Sequence, residues 1–161
     1  MKACYPGTFD PITIGHMDII TRSARMFEEV EVLIMENPRK KCTFSAEERK
    51  QMIEDCLKEA GGCDNVRVHI GTGLTVEYAR KLGCGVIIRG IRAVSDYEYE
   101  LQQATANMVL AEEVETLILI ARPLFSFLSS SVIKEIALNN GSIENLVPHA
   151  IEQKVAEKLR Q

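Results

Sequence analysis

The chain has 161 residues, 46% hydrophobic and 26% charged, which excludes a disordered protein and suits one domain with a sizeable core. Its 19 Lys and Arg against 23 Asp and Glu leave a net charge of −4, which excludes a general nucleic-acid binder but not a local cationic pocket. No apolar run approaches membrane-spanning length, and a strand starts within a few residues of Met1, leaving no room for a signal peptide; a cytoplasmic protein with no membrane contact is expected.

In chain order, Ala3-Cys4-Tyr5 reads as the core of a first strand over residues 2–5. The segment Pro6-Gly7-Thr8-Phe9-Asp10-Pro11-Ile12-Thr13-Ile14-Gly15-His16 follows as a loop. A helix then runs to about Glu28, with Met17, Ile20, Ala24 and Phe27 at helical spacing. A second strand spans 30–35. Ser45 to Glu48 forms a capping box for a helix whose buried stripe is Ile53, Cys56, Leu57 and Ala60, closed by Gly61-Gly62. Alternating Val66, Val68 and Ile70 mark a third strand, followed by a helix near 75–82 that Gly83 closes. The short apolar run Val86-Ile87-Ile88 suits a central parallel strand. A long helix near 96–112, a fifth strand over 116–121, and helices near 130–139 and 148–160 complete the chain, the last with Pro148 at its start.

This alternation predicts an α/β fold: a single Rossmann-like domain over 1–161, its five-stranded parallel sheet covered by helices on both faces. In such sheets ligands sit beyond the carboxyl ends of the strands. Loops 6–16, 36–44, 71–75, 89–95 and 122–131 therefore meet on one edge. They bring together Thr8, Asp10 and His16; Arg39, Lys40 and Lys41; Thr72, Leu74 and Thr75; Arg89 and Arg92; and Ser126, Ser129, Ser130 and Ser131. A cationic, hydroxyl-rich, helix-tipped cleft in an acidic chain suits two phosphorylated ligands, because helix N-termini present unpaired N–H groups and a positive dipole end. No nucleophile–base pair stands out, as expected if the attacking group is itself an ionised phosphate. The five cysteines are odd in number and lack a C-x-x-C, so reduced thiols without disulfide or zinc are expected. His69 and His149 read as structural or exposed.

The first loop lacks both the Walker and the G-x-G-x-x-G patterns. Its P-G-T-F-D-P and T-x-G-H elements, joined to I-I-R-G-I-R-A-V-S-D-Y-E-Y-E at 87–100 and F-S-F-L-S-S-S-V-I-K-E at 125–135, resemble the signatures of the nucleotidylyltransferase superfamily, and within it the bacterial phosphopantetheine adenylyltransferases. The resemblance covers nearly the whole chain. It implies transfer of the adenylyl group of ATP, with Mg2+, to 4′-phosphopantetheine, giving dephospho-coenzyme A and pyrophosphate. It also implies a homohexamer and feedback inhibition by coenzyme A. Carried over by motif, His16 would be catalytic. Thr8, Lys40, Leu74, Thr75, Arg89 and Asn107 would bind phosphopantetheine. Thr8, Phe9, His16, Gly90, Ile91, Arg92, Glu100 and Phe125, Ser126, Phe127, Leu128, Ser129, Ser130 and Ser131 would bind ATP. Met108, where the family often has a basic residue, and Lys134, where the superfamily often has arginine, depart from the pattern.

Overall fold

In the computed structural model, which describes residues 1–37, 39 and 41–160, strand and helix alternate as the sequence predicts. The elements are β1 (Lys2–Gly7), α1 (Ile14–Met26), β2 (Glu29–Glu36), α2 (Ala46–Ala60), β3 (Val66–Thr72) and α3 (Thr75–Lys81). They continue with β4 (Val86–Ile91), α4 (Val94–Leu110), β5 (Glu115–Ile120), a single 3-10 turn (Pro123–Phe125), α5 (Ser130–Leu138) and α6 (His149–Leu159). All paired strands are parallel, in the order β3-β2-β1-β4-β5. The chain steps outward from β1 through β2 to β3, then returns to lay β4 on the other side of β1. The loops leaving β1 and β4 diverge at this switch point and open a crevice between them.

Side chains of a strand alternate between faces, and the two faces of β1 serve two cores. Ala3 and Tyr5 join the larger one, with Ile20, Val32, Ile34, Ile53, Ile133 and Ile151, beneath α1, α2, α5 and α6. Cys4 points the other way, into a smaller core with Val76, Ala79, Cys84, Ile87 and Val114. Helix starts follow the expected chemistry. Ser45 Oγ accepts from the Glu48 N–H at 3.1 Å while the Glu48 carboxylate accepts from the Ser45 N–H at 2.8 Å. Gly61 closes α2 with φ of +64°, a conformation only glycine adopts without strain.

Several boundaries move, each for a physical reason. β4 continues past the apolar run because its ladder to β5 extends through Arg89↔Ile118, Gly90↔Leu119 and Ile91↔Ile120. Arg89 and Gly90 therefore stand on a strand rather than in a loop. Pro6-Gly7 and Gly71-Thr72 likewise belong to β1 and β3. α1 opens at Ile14, earlier than expected, so His16 sits within its first turn. In α2 the buried stripe shifts toward Arg49 and Met52, leaving Ala60 exposed. Pro148 caps α6 from outside, and His149 begins it. All five cysteines are free thiols. His69 is a structural partner, 2.6 Å from the buried carboxylate of Glu31, and His149 is exposed.

Candidate active site

Helix α1 begins with an unusual cap. Thr13 Oγ1 accepts from the His16 N–H at 3.2 Å, and the Nδ1 of His16 accepts from the Thr13 N–H at 3.0 Å. An imidazole here takes the place of the Glu or Gln of a common capping box. A backbone N–H can only donate, so Nδ1 is the acceptor and the ring proton lies on Nε2. Burial, reinforced by the Arg92 charge, pushes the His16 pKa down to about 4. His16 is thus a neutral N–H donor at neutral pH, set at the positive end of α1.

The ring is braced from below. Phe9 lies edge-on to both Tyr5 and His16, with centroids 5.5 and 5.2 Å away. Phe9 has φ of +50°, uncommon for a bulky residue, and its ring fills the space above Gly7. A Cβ on Gly7 would lie 2.7 Å from that ring. The missing side chain of Gly7 therefore admits Phe9, not a ligand, which corrects the simple reading of both loop glycines as room for phosphate. Gly15 is different: a Cβ there would meet Thr13 Oγ1 and the Phe125 side chain at 3.5 and 3.6 Å, ordinary contact distances.

Asp10 fastens this loop. Its buried carboxylate accepts from the N–H groups of Thr43 and Phe44, each at 2.9 Å, and pairs with the ammonium of Lys134 on α5. Burial pushes the acid toward its neutral form, but Lys134 and the two N–H donors outweigh it and hold the pKa below the usual value. Arg49 bridges the same two segments through carbonyls. Its Nε donates to the Phe44 carbonyl at 3.1 Å and its Nη1 to the Thr8 carbonyl at 2.8 Å. Sequence reasoning missed Arg49, which reads as one charge among many in Glu47-Glu48-Arg49-Lys50.

On the opposite wall, Arg89 makes a two-point bond to Glu100 of α4, at 2.5 and 2.7 Å, and donates to the Pro6 carbonyl at 3.1 Å. Burial opposes its charge, yet Glu100 outweighs that and raises the pKa. Guanidinium N–H groups remain beyond these bonds to face the cleft. Arg92 bonds to Asp96 and donates to the Leu128 carbonyl at 2.8 Å, tying β4 to the start of α5. Ser129 caps α5 by accepting from the Val132 N–H at 3.1 Å, while Ser130 Oγ donates to the Pro11 carbonyl at 2.7 Å.

These elements enclose a cleft of about 720 Å³ at the switch point. Of the residues expected from sequence, Thr8, Phe9, His16, Thr75, Arg89, Gly90, Arg92, Asn107, Phe125, Leu128, Ser129 and Ser130 line it. Leu74 caps α3 between two lining residues, Gly73 and Thr75, without lining the cleft itself. Ile91 ends β4 beside it, and Glu100 reaches it only through Arg89. Ser126, Phe127 and Ser131 are exposed outside it. Lys40 lies outside the described residues. The cleft also takes in Met35, Glu36 and Asn37 at the end of β2, and Tyr99 and Gln103, which with Asn107 form a polar stripe of α4. The four-residue spacing of that stripe is visible in the sequence once the helix is aimed at the cleft.

A parallel sheet with a phosphate-suited helix tip at its switch point defines a nucleotide-handling α/β domain. Consistent with this, the cytidylyltransferase-like family model matches residues 4–136, and the chain belongs to that class. A phosphopantetheine adenylyltransferase of Thermotoga neapolitana is 49% identical over 161 residues, covering 100% of this chain and 98% of its own length. One from Finegoldia magna is 50% identical over 157 residues, covering 98% and 95%. The chain is therefore a member of the phosphopantetheine adenylyltransferase family. The structure of a Plasmodium falciparum nicotinic acid mononucleotide adenylyltransferase complexed with NaAD shares the fold, with a TM-score of 0.72 at 13% identity over 98% of this chain and 94% of that one.

Proposed function

We propose that this protein transfers the adenylyl group of ATP to 4′-phosphopantetheine, releasing pyrophosphate and dephospho-coenzyme A. The observation that carries the mechanism is His16: a neutral imidazole with Nε2–H as its free donor, at the N-terminus of α1, inside the cleft. A non-bridging oxygen of the acceptor phosphate attacks the α-phosphorus, and the bond to the β-phosphate oxygen breaks. The acceptor is already ionised, so no general base is required. Negative charge grows on the transferring group and on pyrophosphate, where His16, the α1 tip, Arg92 and the α5 start at Ser129-Ser130 can stabilise it. Thr8 lies between the two phosphate groups, Arg89 holds the acceptor phosphate, and Thr75 and Asn107 face its arm.

Magnesium would neutralise triphosphate charge and enter on the phosphate oxygens with its own waters. The carboxylates of Asp10, Glu100 and Asp96 are committed to cations, and no group of three acidic, imidazole or thiol side chains is set to hold a metal among the described residues. Coenzyme A carries the product's skeleton and would compete for the same cleft. Self-association, to the hexamer the family resemblance implies, is supported by α4. Val94, Tyr97, Leu101 and Met108 share one exposed apolar face, and Glu100 is the only buried residue of that helix. A helix with so little buried surface needs a partner against it. A cytoplasmic location fits the free thiols; no helix among the described residues is long and apolar enough to cross a membrane.

Pyrophosphate release from MgATP, with and without 4′-phosphopantetheine and with nicotinamide mononucleotide as control acceptor, tests the reading. Release with phosphopantetheine alone is expected. Release with the control alone would overturn the acceptor assignment.

A further inference from the structure

Asp18 is a buried group that the adenylyl chemistry leaves unused. Its carboxylate, 7% exposed, holds two arginines, one a helical turn further along α1 and one beyond β5. Oδ2 accepts from Nη1 of Arg22 at 3.1 Å and Oδ1 from Nε of Arg122 at 3.0 Å. The same Nη1 of Arg22 donates to the Ile120 carbonyl at 2.9 Å. α1 is thereby fastened to residues 120 and 122, on either side of Ala121, which lines the cleft. Just beyond, Phe125 packs close to Gly15.

These contacts join two segments that line one end of the cleft. Gly15 and His16, at the tip of α1, form one wall; Ala121 and Phe125 form the other, with Leu128 at the side. Gly15 and Phe125 are in close approach, a Cβ on Gly15 lying 3.6 Å from the Phe125 side chain, so the separation of the two segments is tightly set here. Burying a carboxylate between two guanidinium groups is a weak source of stability, since desolvation offsets most of the attraction. What the arrangement does specify is distance, because it sets α1 and the exit of β5 at one separation.

We propose that Asp18 is a positioning residue that, through Arg22 and Arg122, fixes the separation of the α1 tip and the segment after β5 at this end of the cleft and so the affinity for ATP. The proposal rests on reading the cleft as an ATP site. Wild-type protein that released no pyrophosphate and bound no MgATP by calorimetry would overturn both together, before any variant is made.

With the wild-type reaction in hand, Arg122→Ala and Asp18→Asn separate positioning from simple support. Arg122 is 59% exposed at its side chain, so its loss leaves the fold intact and the test stands even if Asp18→Asn folds poorly. Arg122→Ala is expected to raise the KM for ATP about fivefold, the scale of a partly exposed ion pair. Asp18→Asn is expected to raise it about tenfold, since it leaves both arginines without their acceptor charge. The double variant should be no worse than Asp18→Asn, and Arg122→Lys should recover most of the loss. The KM for phosphopantetheine and the kcat at saturating ATP should stay within about twofold. Equal rises in both KM values, or an unchanged ATP KM in Arg122→Ala, would overturn the proposal.

Discussion

The Thr13 N–H donates to the Nδ1 of His16 across 3.0 Å, so the start of α1 decides which nitrogen of its own imidazole carries the proton. A protonated ring would have to give up this bond, because Nδ1 would then be a donor facing a donor. His16→Ala should therefore lower kcat by about 10²–10³, the usual loss for a transition-state donor. His16→Gln, which can place an N–H near the Nε2 position, should recover part of it. Steady-state pyrophosphate release checks both, and near-wild-type turnover in His16→Ala would remove the role.

The pH behaviour follows with a definite sign. Because the His16 pKa is about 4 in the folded chain and 6.5 in an unfolded reference, its active neutral form persists well below neutrality. The rate of a catalyst depending on neutral His16 should stay level through pH 6.5. Carbon-labelled histidine spectra should show that the His16 ring does not titrate there. An imidazole titrating near 6.5 at position 16 would contradict this.

Stability should respond over two windows. The unfolded chain takes up a proton at His16 as pH falls below 6.5 while the folded chain does not until about 4, so stability declines across that interval. Asp10, Glu31 and Asp96 have folded pKa values below their ordinary 3.8, 4.5 and 3.8. Their contributions are full above those ordinary values and are lost as pH falls through the depressed ones. Urea midpoints measured from pH 8 to pH 3 should begin falling near pH 6.5. His16→Ala should delay the fall until the carboxylates protonate.

Asp10→Ala should destabilise by about 3–5 kcal/mol, because it strands the Lys134 ammonium and two backbone donors at once. Asp10→Asn should do little better, since an amide cannot accept from all three donors with both of its atoms. Denaturant unfolding provides the comparison. A loss under about 1 kcal/mol in Asp10→Ala would show that water replaces the carboxylate.

The two loop glycines should behave oppositely. Gly7→Ala drives a methyl into the Phe9 ring and should cost about 1–3 kcal/mol and disturb His16, which that ring supports. Gly15→Ala meets only ordinary contacts and should fold at least as stably as wild type, since alanine favours the helix. Thermal melts of the two variants distinguish them directly.

Much of this architecture can be read in the residues, and the exceptions share a cause. Val66, Val68 and Ile70 alternate, and Ser45 with Glu48 caps a helix, because these signals are local. Arg89 misleads because its strand is extended by pairing with β5, whose own residues lie far along the chain. His16 could be placed in the cleft from its motif, but not its tautomer, which depends on how the first turn closes. Glu100 could be put near the cleft, but not on Arg89. Arg49 and Asp18 gave no warning, since a charged residue on a helix normally faces water and only tertiary packing turns these two inward.

The loop that opens the chain is completed by its last quarter. Asp10 waits for Lys134, Pro11 for the hydroxyl of Ser130, and the Ile14 N–H for the carbonyl of Leu146. Thr43, Phe44 and Arg49 bond to this loop once α2 is in place, yet its ties to α5 wait until Ser130 and Lys134 have been made. The loop is thus among the last parts of the fold to take its final shape, so a fragment ending before α5 could carry the whole sheet and still lack a finished nucleotide site.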